Sequence, residues 1–262
     1  MFVPKKSLGQ NFLIDSKVIS RIIEVGKIEP EDIVIEVGPG KGVLTDKIFE
    51  KNPKSITVIE KDEKLASHLY KKFGNKINII IDDMMNVSYD TKFKNSHIIF
   101  GNLPYNVSTQ ILAKWIKTEN INQFCKRLVL MFQKEVADRI IAKINTKEYG
   151  RLSILSNWRM KIEKIIDIEP ESFRPSPKVR STLLVFVPKK KYIKFKDPKN
   201  LEHVTNIFFS QRRKMVRKPL KFLFGNFDDV SKKLSINLKL RPQNLDHNTY
   251  YKISEFYENL IY

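Results

Sequence analysis

The 262-residue sequence predicts an α/β protein: a seven-stranded, mostly parallel sheet covered by helices, followed by a small helical domain. Three observations predict it. Over the first two-thirds of the chain, short β-branched and apolar runs alternate with segments of helical periodicity, the pattern of strands buried on both faces. The first such run ends in a glycine-rich turn. Beyond residue 200 the period is helical, beginning with Leu201, Val204, Ile207 and Phe208.

In chain order, strands are expected at Ile33–Val37, Ser55–Glu60, Ile77–Ile81, His97–Gly101, Arg127–Phe132 and Thr182–Val187, with a seventh near Trp158–Ile168. A helix is expected from Val43, after the glycine turn. These boundaries predict one domain over residues 1–187, a basic linker over 188–199 and a helical domain over 200–262.

Hydrophobic residues make up 42%, enough for a packed core, so wholesale disorder is excluded. The single cysteine, Cys125, makes no internal disulfide and rules out a metal site built on several thiolates; it is expected to be buried and inert. Four histidines, at 68, 97, 203 and 247, show neither metal-ligand spacing nor a triad, so no metal is expected. No apolar run approaches the ~20 residues that span a bilayer, and no secretion signal is apparent, so a cytoplasmic protein is expected.

Lys and Arg number 48 against 29 Asp and Glu, a net charge of +19. The excess is concentrated at the end: residues 188–262 carry 17 basic and 7 acidic side chains. A polyanion is the natural partner of such a surface, since each neutralised phosphate releases condensed counterions. Within that region Arg212, Arg213, Lys214, Arg217 and Lys218 form the densest cluster, read as phosphate contacts in preference to a solvated helix face.

The turn Gly38-Pro39-Gly40-Lys41-Gly42 follows Ile33–Val37. Glycines there let a ligand approach the backbone, and the helix behind offers free N–H groups. Glu60, at the end of the second strand, is placed where a carboxylate accepts both hydroxyls of a ribose. A dinucleotide fingerprint requires G-x-G-x-x-G; here the third glycine comes one residue early. After the third strand, Asp82 or Asp83 is a candidate acceptor for an adenine amine, and spacing alone does not choose between them.

The fourth strand runs into Asn102-Leu103-Pro104-Tyr105, at the carboxyl edge of the sheet beside the glycine turn. The amine of adenine is a weak nucleophile because its lone pair is delocalised into the ring. Two acceptors on its hydrogens, the Asn102 side chain and the Leu103 or Pro104 carbonyl, favour a pyramidal nitrogen, while Tyr105 stacks on the base. Such catalysis is positioning and electrostatics, with no strong base required.

Asn102–Tyr105 resembles the N/D-P-P-Y/F/W signature of amino-group methyltransferases. Three further segments are similar to motifs of the ribosomal RNA adenine dimethyltransferases: Lys5–Leu13, Phe173–Ser181 and Phe209–Lys214. The resemblance covers nearly the whole chain, is greatest to the small-subunit branch, and implies a class I, Rossmann-like S-adenosylmethionine-dependent fold. It implies N6,N6-dimethylation of two adjacent adenosines near the 3′ end of 16S rRNA in the small (30S) subunit, with a role in subunit biogenesis. It also implies cofactor contacts at Asn11, Leu13, Gly38, Glu60, Asp83 and Asn102, and an aromatic clamp closed on Tyr105 by Phe173. A monomer is expected. A large-subunit resistance methyltransferase is the like-chemistry rival, disfavoured by Gly9, Pro39 and Gly101. The rival of another class is an assembly factor with vestigial catalysis. Two departures from the family stand out: Arg180 replaces the usual Asp, and Lys218-Pro219 is expected to end the basic helix early.

Overall fold

The computed structural model describes residues 10–87 and 96–261. The Lys5–Gly9 part of the N-terminal motif lies outside them.

The chain enters through β1 (Phe12–Leu13) and the helix Ser16–Gly26, then lays down β2 (Ile33–Val37), β3 (Ser55–Glu60) and β4 (Asn78–Ile81). It continues with β5 (His97–Asn102), β6 (Cys125–Gln133), β7 (Met160–Ile168), β8 (Phe173–Arg174) and β9 (Ser181–Pro188). Seven strands form one sheet in the order β4-β3-β2-β5-β6-β9-β7, and β1 pairs antiparallel with β8 apart from it. The strands from β4 to β6 are mutually parallel, and β9 runs antiparallel to β6. The central strands carry Val34, Ile35, Val37, Ile98, Ile99 and Phe100 with no exposed surface. Burying both faces removes the polar alternation of a half-wet strand, so these strands read as plain apolar runs.

From β2 the chain builds outward through β3 and β4, then returns to place β5 on the other side of β2. The connections leave in opposite directions there, opening a crevice at the carboxyl ends of β2 and β5.

The described residues fall into two compact units. The first comprises those within Met1–Ala137 and Lys161–Pro188, and holds the sheet. The second joins Asp138–Met160 to Lys189–Tyr262. This differs from the contiguous domain expected through residue 187. The helix Arg151–Arg159 packs on the helices Lys199–Ser210 and His247–Ile261, with the Tyr251 hydroxyl donating to the Ile154 carbonyl at 2.9 Å. Trp158, expected at a strand edge, closes this helix and donates its indole N–H to the Ile193 carbonyl at 2.7 Å. The segment 188–199, expected as a linker, is tied down as well. Glu258 accepts from the backbone N–H groups of Lys196 and Asp197 at 2.8 and 2.9 Å.

Cys125 opens β6, buried as expected, and burial pushes its thiol well up from the ordinary range. No described helix is long and apolar enough to cross a membrane, and the described residues hold no group of three or more potential metal-binding side chains.

Candidate active site

One cleft at the carboxyl ends of β2, β3 and β5 gathers all six residues expected at the cofactor: Asn11, Leu13, Gly38, Glu60, Asp83 and Asn102. The turn after β2 carries its glycines in the left-handed region, with φ of 68° at Gly38 and 57° at Gly40. At Gly40 the reason is close approach as well as conformation. A Cβ there would meet the Phe12 ring at 2.9 Å, because residues 10–13 run as a strap across the turn. A Cβ at Gly38 would meet the Asn102 carbonyl at 3.8 Å and the far end of Met84 at 4.0 Å, ordinary contacts, so at Gly38 the backbone conformation alone calls for glycine.

Contacts along its length hold the strap. Gln10 donates to the Asp62 carboxylate at 3.3 Å, β1 pairs with β8, and the Ile14 N–H donates to the Ser172 carbonyl at 2.8 Å. Asp15 then caps the following helix by accepting from the Lys17 and Val18 N–H groups.

Glu60 is buried at the end of β3, and burial raises its carboxyl above the ordinary carboxylate range. Three backbone donors oppose that rise: the N–H groups of Asp62, on one oxygen at 2.9 Å, of Gly40, on the other at 3.1 Å, and of Lys61. A carboxylate has about four lone-pair sites, so acceptor capacity remains for a further donor such as a ribose hydroxyl. Of the two aspartates after β4, Asp83 lines the cleft and Asp82 does not. The Lys61 ammonium on Asp83, at 2.7 Å, holds its carboxyl below the ordinary value.

The Asn102 side chain donates its N–H to the Asn11 carbonyl of the strap at 2.9 Å. That bond sets the amide orientation, leaving Oδ1 as the face able to accept. The Pro104 carbonyl accepts from both the Val107 and Ser108 N–H groups, at 3.1 and 3.0 Å, at the start of the next helix. Of the two residues whose carbonyl is expected to accept from the amine, Pro104 lines the cleft and Leu103 is buried outside its lining. The half-buried Tyr105 has its hydroxyl 2.7 Å from Ser181 Oγ.

Phe173 departs from expectation. Its ring is 1% exposed and sits in the hydrophobic core with Leu13, its partner across the β1–β8 pair, and with Ile168 and Leu183. That pairing turns the ring inward, so it presents no free face to a base. Arg180 pairs with Glu169 at 2.9 Å, with both side chains more than half exposed, and such a pair adds little stability. Pro219, expected to end the basic helix, instead lies in the first turn of the helix Arg217–Phe224, where its missing N–H costs nothing. Arg212, Arg213 and Lys214 fall in the turn before it; Arg212 donates to the Thr146 carbonyl at 3.0 Å.

Glu36 is a cleft residue that the sequence motifs did not single out. It lines the same cleft, buried on β2, and accepts from the Thr45 hydroxyl at 2.6 Å. Burial pushes its carboxyl up to about 8, aided by Glu60 and Asp46 and opposed by Thr45 and Lys72. The folded protein therefore keeps a proton that the unfolded chain releases near 4.5. This group's contribution to stability is full below that value and is lost as pH rises toward and beyond 8. Glu36→Gln should flatten the fall, sparing up to about 1.4 kcal/mol per pH unit across the window. Thermal melts from pH 5 to 9 check this, and parallel curves for variant and wild type would refute it.

A sheet of this order, with a glycine turn after its central strand and an acid ending the next, defines a class I S-adenosylmethionine-dependent methyltransferase. The left-handed glycine turn, the Glu60 carboxylate with acceptor capacity to spare and Asp83 in the lining of the same cleft fit that cofactor. The family model for ribosomal RNA adenine dimethylase matches residues 1–259. The chain is 53% identical over 261 residues to ribosomal RNA small subunit methyltransferase A of Pelagibacter ubique (strain HTCC1062), covering 99% of each chain. It is 40% identical over 258 residues to the protein of that name from Buchnera aphidicola subsp. Baizongia pistaciae (strain Bp), covering 97% of this chain and 96% of the other. Among solved structures, it is similar to a dimethyladenosine transferase from Plasmodium falciparum, with a TM-score of 0.81 and 27% identity over 92% of this chain and 95% of that one. A 23S rRNA methyltransferase shares the fold, with a TM-score of 0.69 and 20% identity over 95% of this chain and all of the other. The chain belongs to the ribosomal RNA adenine dimethylase family, and its activity is S-adenosylmethionine-dependent dimethylation of adenine in rRNA.

Proposed function

We propose that the substrate is the 16S rRNA of the small (30S) ribosomal subunit, where two adjacent adenosines near the 3′ end each receive two methyl groups. The observation that carries this reading is the joining, in one cleft, of the glycine turn, Glu60, Asp83 and the Asn102 turn. The small-subunit methyltransferase named above, 53% identical to this chain, supports the choice of subunit.

When bound, S-adenosylmethionine supplies an electrophilic methyl on a sulfonium. Glu60 holds the ribose hydroxyls and Asp83 the adenine amine of that cofactor, with Asn11, Leu13 and Gly38 lining its place. Asn102 Oδ1 and the Leu103 or Pro104 carbonyl accept the two hydrogens of the target amine, which turns the nitrogen lone pair out of conjugation. Pro104 stiffens the turn that aims them. Tyr105 stacks on the extruded base, offsetting the stacking lost from the RNA. These groups orient and polarise rather than remove a proton, so rate comes from positioning. Phe173 supports the site from the core, through its pairing with Leu13. Arg213, Lys214, Arg217 and Lys218, with Arg212 anchoring their turn, contact phosphates of the rRNA. The protein acts as a monomer in the cytoplasm.

Radiolabelled methyl transfer to unmethylated 30S particles, with 23S rRNA in parallel and nucleoside digestion of the products, tests the reading. Dimethyladenosine confined to 16S rRNA is the expected result. Labelling of 23S rRNA alone would overturn the subunit choice. Tight 30S binding without labelling would favour an assembly factor.

A further inference from the structure

We infer that Ser181 is a positioning residue for methyl transfer: its hydroxyl anchors the far end of the Tyr105 ring and so aims the ring on which the target adenine stacks. The inference rests on the reading of Tyr105 as that stacking ring.

Tyr105 lies in the turn after β5, where its backbone is held by the Ser108 hydroxyl donating to its carbonyl at 3.2 Å. A backbone hold alone leaves both side-chain torsions of a tyrosine to local packing. The second hold is at the far end of the ring, where the phenolic oxygen meets Ser181 Oγ at 2.7 Å. The two holds fix the long axis of the ring, and because the phenolic O–H and its lone pair lie near the ring plane, the direction of Ser181 Oγ sets the rotation about that axis.

Ser181 is suited to the task because it does not move. It is the first residue of β9, fully buried, and pairs across the ladder with Gln133 at the end of β6. The preceding carbonyl, of Arg180, accepts from the Lys134 N–H at 2.9 Å, so the β6–β9 corner is hydrogen-bonded on both sides of the serine. The sheet frame is thereby carried through one hydroxyl to a ring on a turn. Either oxygen can donate, and burial raises the Tyr105 phenol above its ordinary value, so both partners are neutral near pH 7. The bond also joins two motifs that lie 76 residues apart in the chain.

A serine that merely satisfied a buried phenol would affect folding and leave turnover per folded molecule unchanged. A positioning serine affects kcat and the outcome of the second transfer, which needs the already methylated, bulkier amine held in line. The test uses the full-length protein with S-adenosylmethionine and 30S particles. Ser181→Ala should lower kcat about 10-fold, leave KM for S-adenosylmethionine unchanged and raise the share of N6-monomethyladenosine in the product. Tyr105→Phe keeps the ring and removes the hydroxyl, so it should give the same loss and the same shift in product. The double variant should be no slower than either single one.

Wild-type kcat and product ratio in Ser181→Ala, or losses that multiply in the double variant, would overturn the inference. Should Ser181→Ala fail to fold, Tyr105→Phe decides from the other side of the bond, and unchanged kcat and product ratio there would overturn it too. Wild-type enzyme in the same assay separates the two levels. An inactive wild type would refute the functional reading, whereas an active wild type matched by both variants would refute this inference alone.

Discussion

Asn102→Ala should remove methyl transfer, by a factor of at least about 10²–10³, while cofactor affinity stays within a few-fold. The asymmetry follows from how the side chain is held. Its N–H is committed to the Asn11 carbonyl, and in the proposed mechanism its Oδ1 is the acceptor for the amine. Truncation deletes that acceptor at the point where charge develops on the nitrogen, yet leaves the glycine turn, Glu60 and Asp83 in place. It also frees one tie of the strap, a neutral hydrogen bond worth about 1 kcal/mol, so the melting temperature should fall only modestly. Radiolabelled transfer to 30S particles measures the first quantity and titration calorimetry with S-adenosylmethionine the second. An active variant would remove the amine-acceptor role.

Glu60→Ala should weaken S-adenosylmethionine binding by roughly 10- to 100-fold, the worth of one charged hydrogen-bond acceptor at about 1.5–3 kcal/mol. Two costs combine. The ribose hydroxyls lose their acceptor, and the Gly40 and Asp62 N–H groups lose the carboxylate that orders the turn. Glu60→Gln separates them, since its amide keeps volume and one acceptor and should fall between wild type and alanine. Calorimetry checks both variants, and unchanged affinity in Glu60→Ala would remove the residue from the site.

The parts of this architecture legible in sequence were those where a local pattern has one physical cause. The runs at Ile33–Val37 and Ser55–Glu60 give strand boundaries directly, because fully buried parallel strands are apolar on both faces and end at glycine or charge. The left-handed turn was legible through Gly38 and Gly40, since other side chains rarely adopt that backbone. What escaped were features that depend on partners far along the chain. Strands β1 and β8 are two residues each, too short to show a period, and exist because each finds the other. The inward turn of Phe173 follows from that pairing and has no trace in its own neighbours. The membership of Asp138–Met160 in the second unit was equally hidden, because Tyr149 and Trp158 look like core residues of any domain. Among site residues, the six expected at the cofactor were found by resemblance and meet in one cleft. Glu36 shows why the rest was not read: its proton is held by burial, Glu60 and Asp46 against the pull of Thr45 and Lys72, and only the fold brings these groups near.

The two-segment make-up of the second unit has a consequence for how such proteins recombine. Its core is stitched across a long gap: the Tyr149 hydroxyl donates to the Leu245 carbonyl, and the Trp158 indole to that of Ile193. A crossover near residue 188 would therefore graft one parent's Lys189–Tyr262 onto the other's Asp138–Met160, pairing halves of a core that were never selected together. Exchange of the basic region between relatives is a matter of two cassettes rather than one tail, so that region and the sheet domain are inherited as a linked pair.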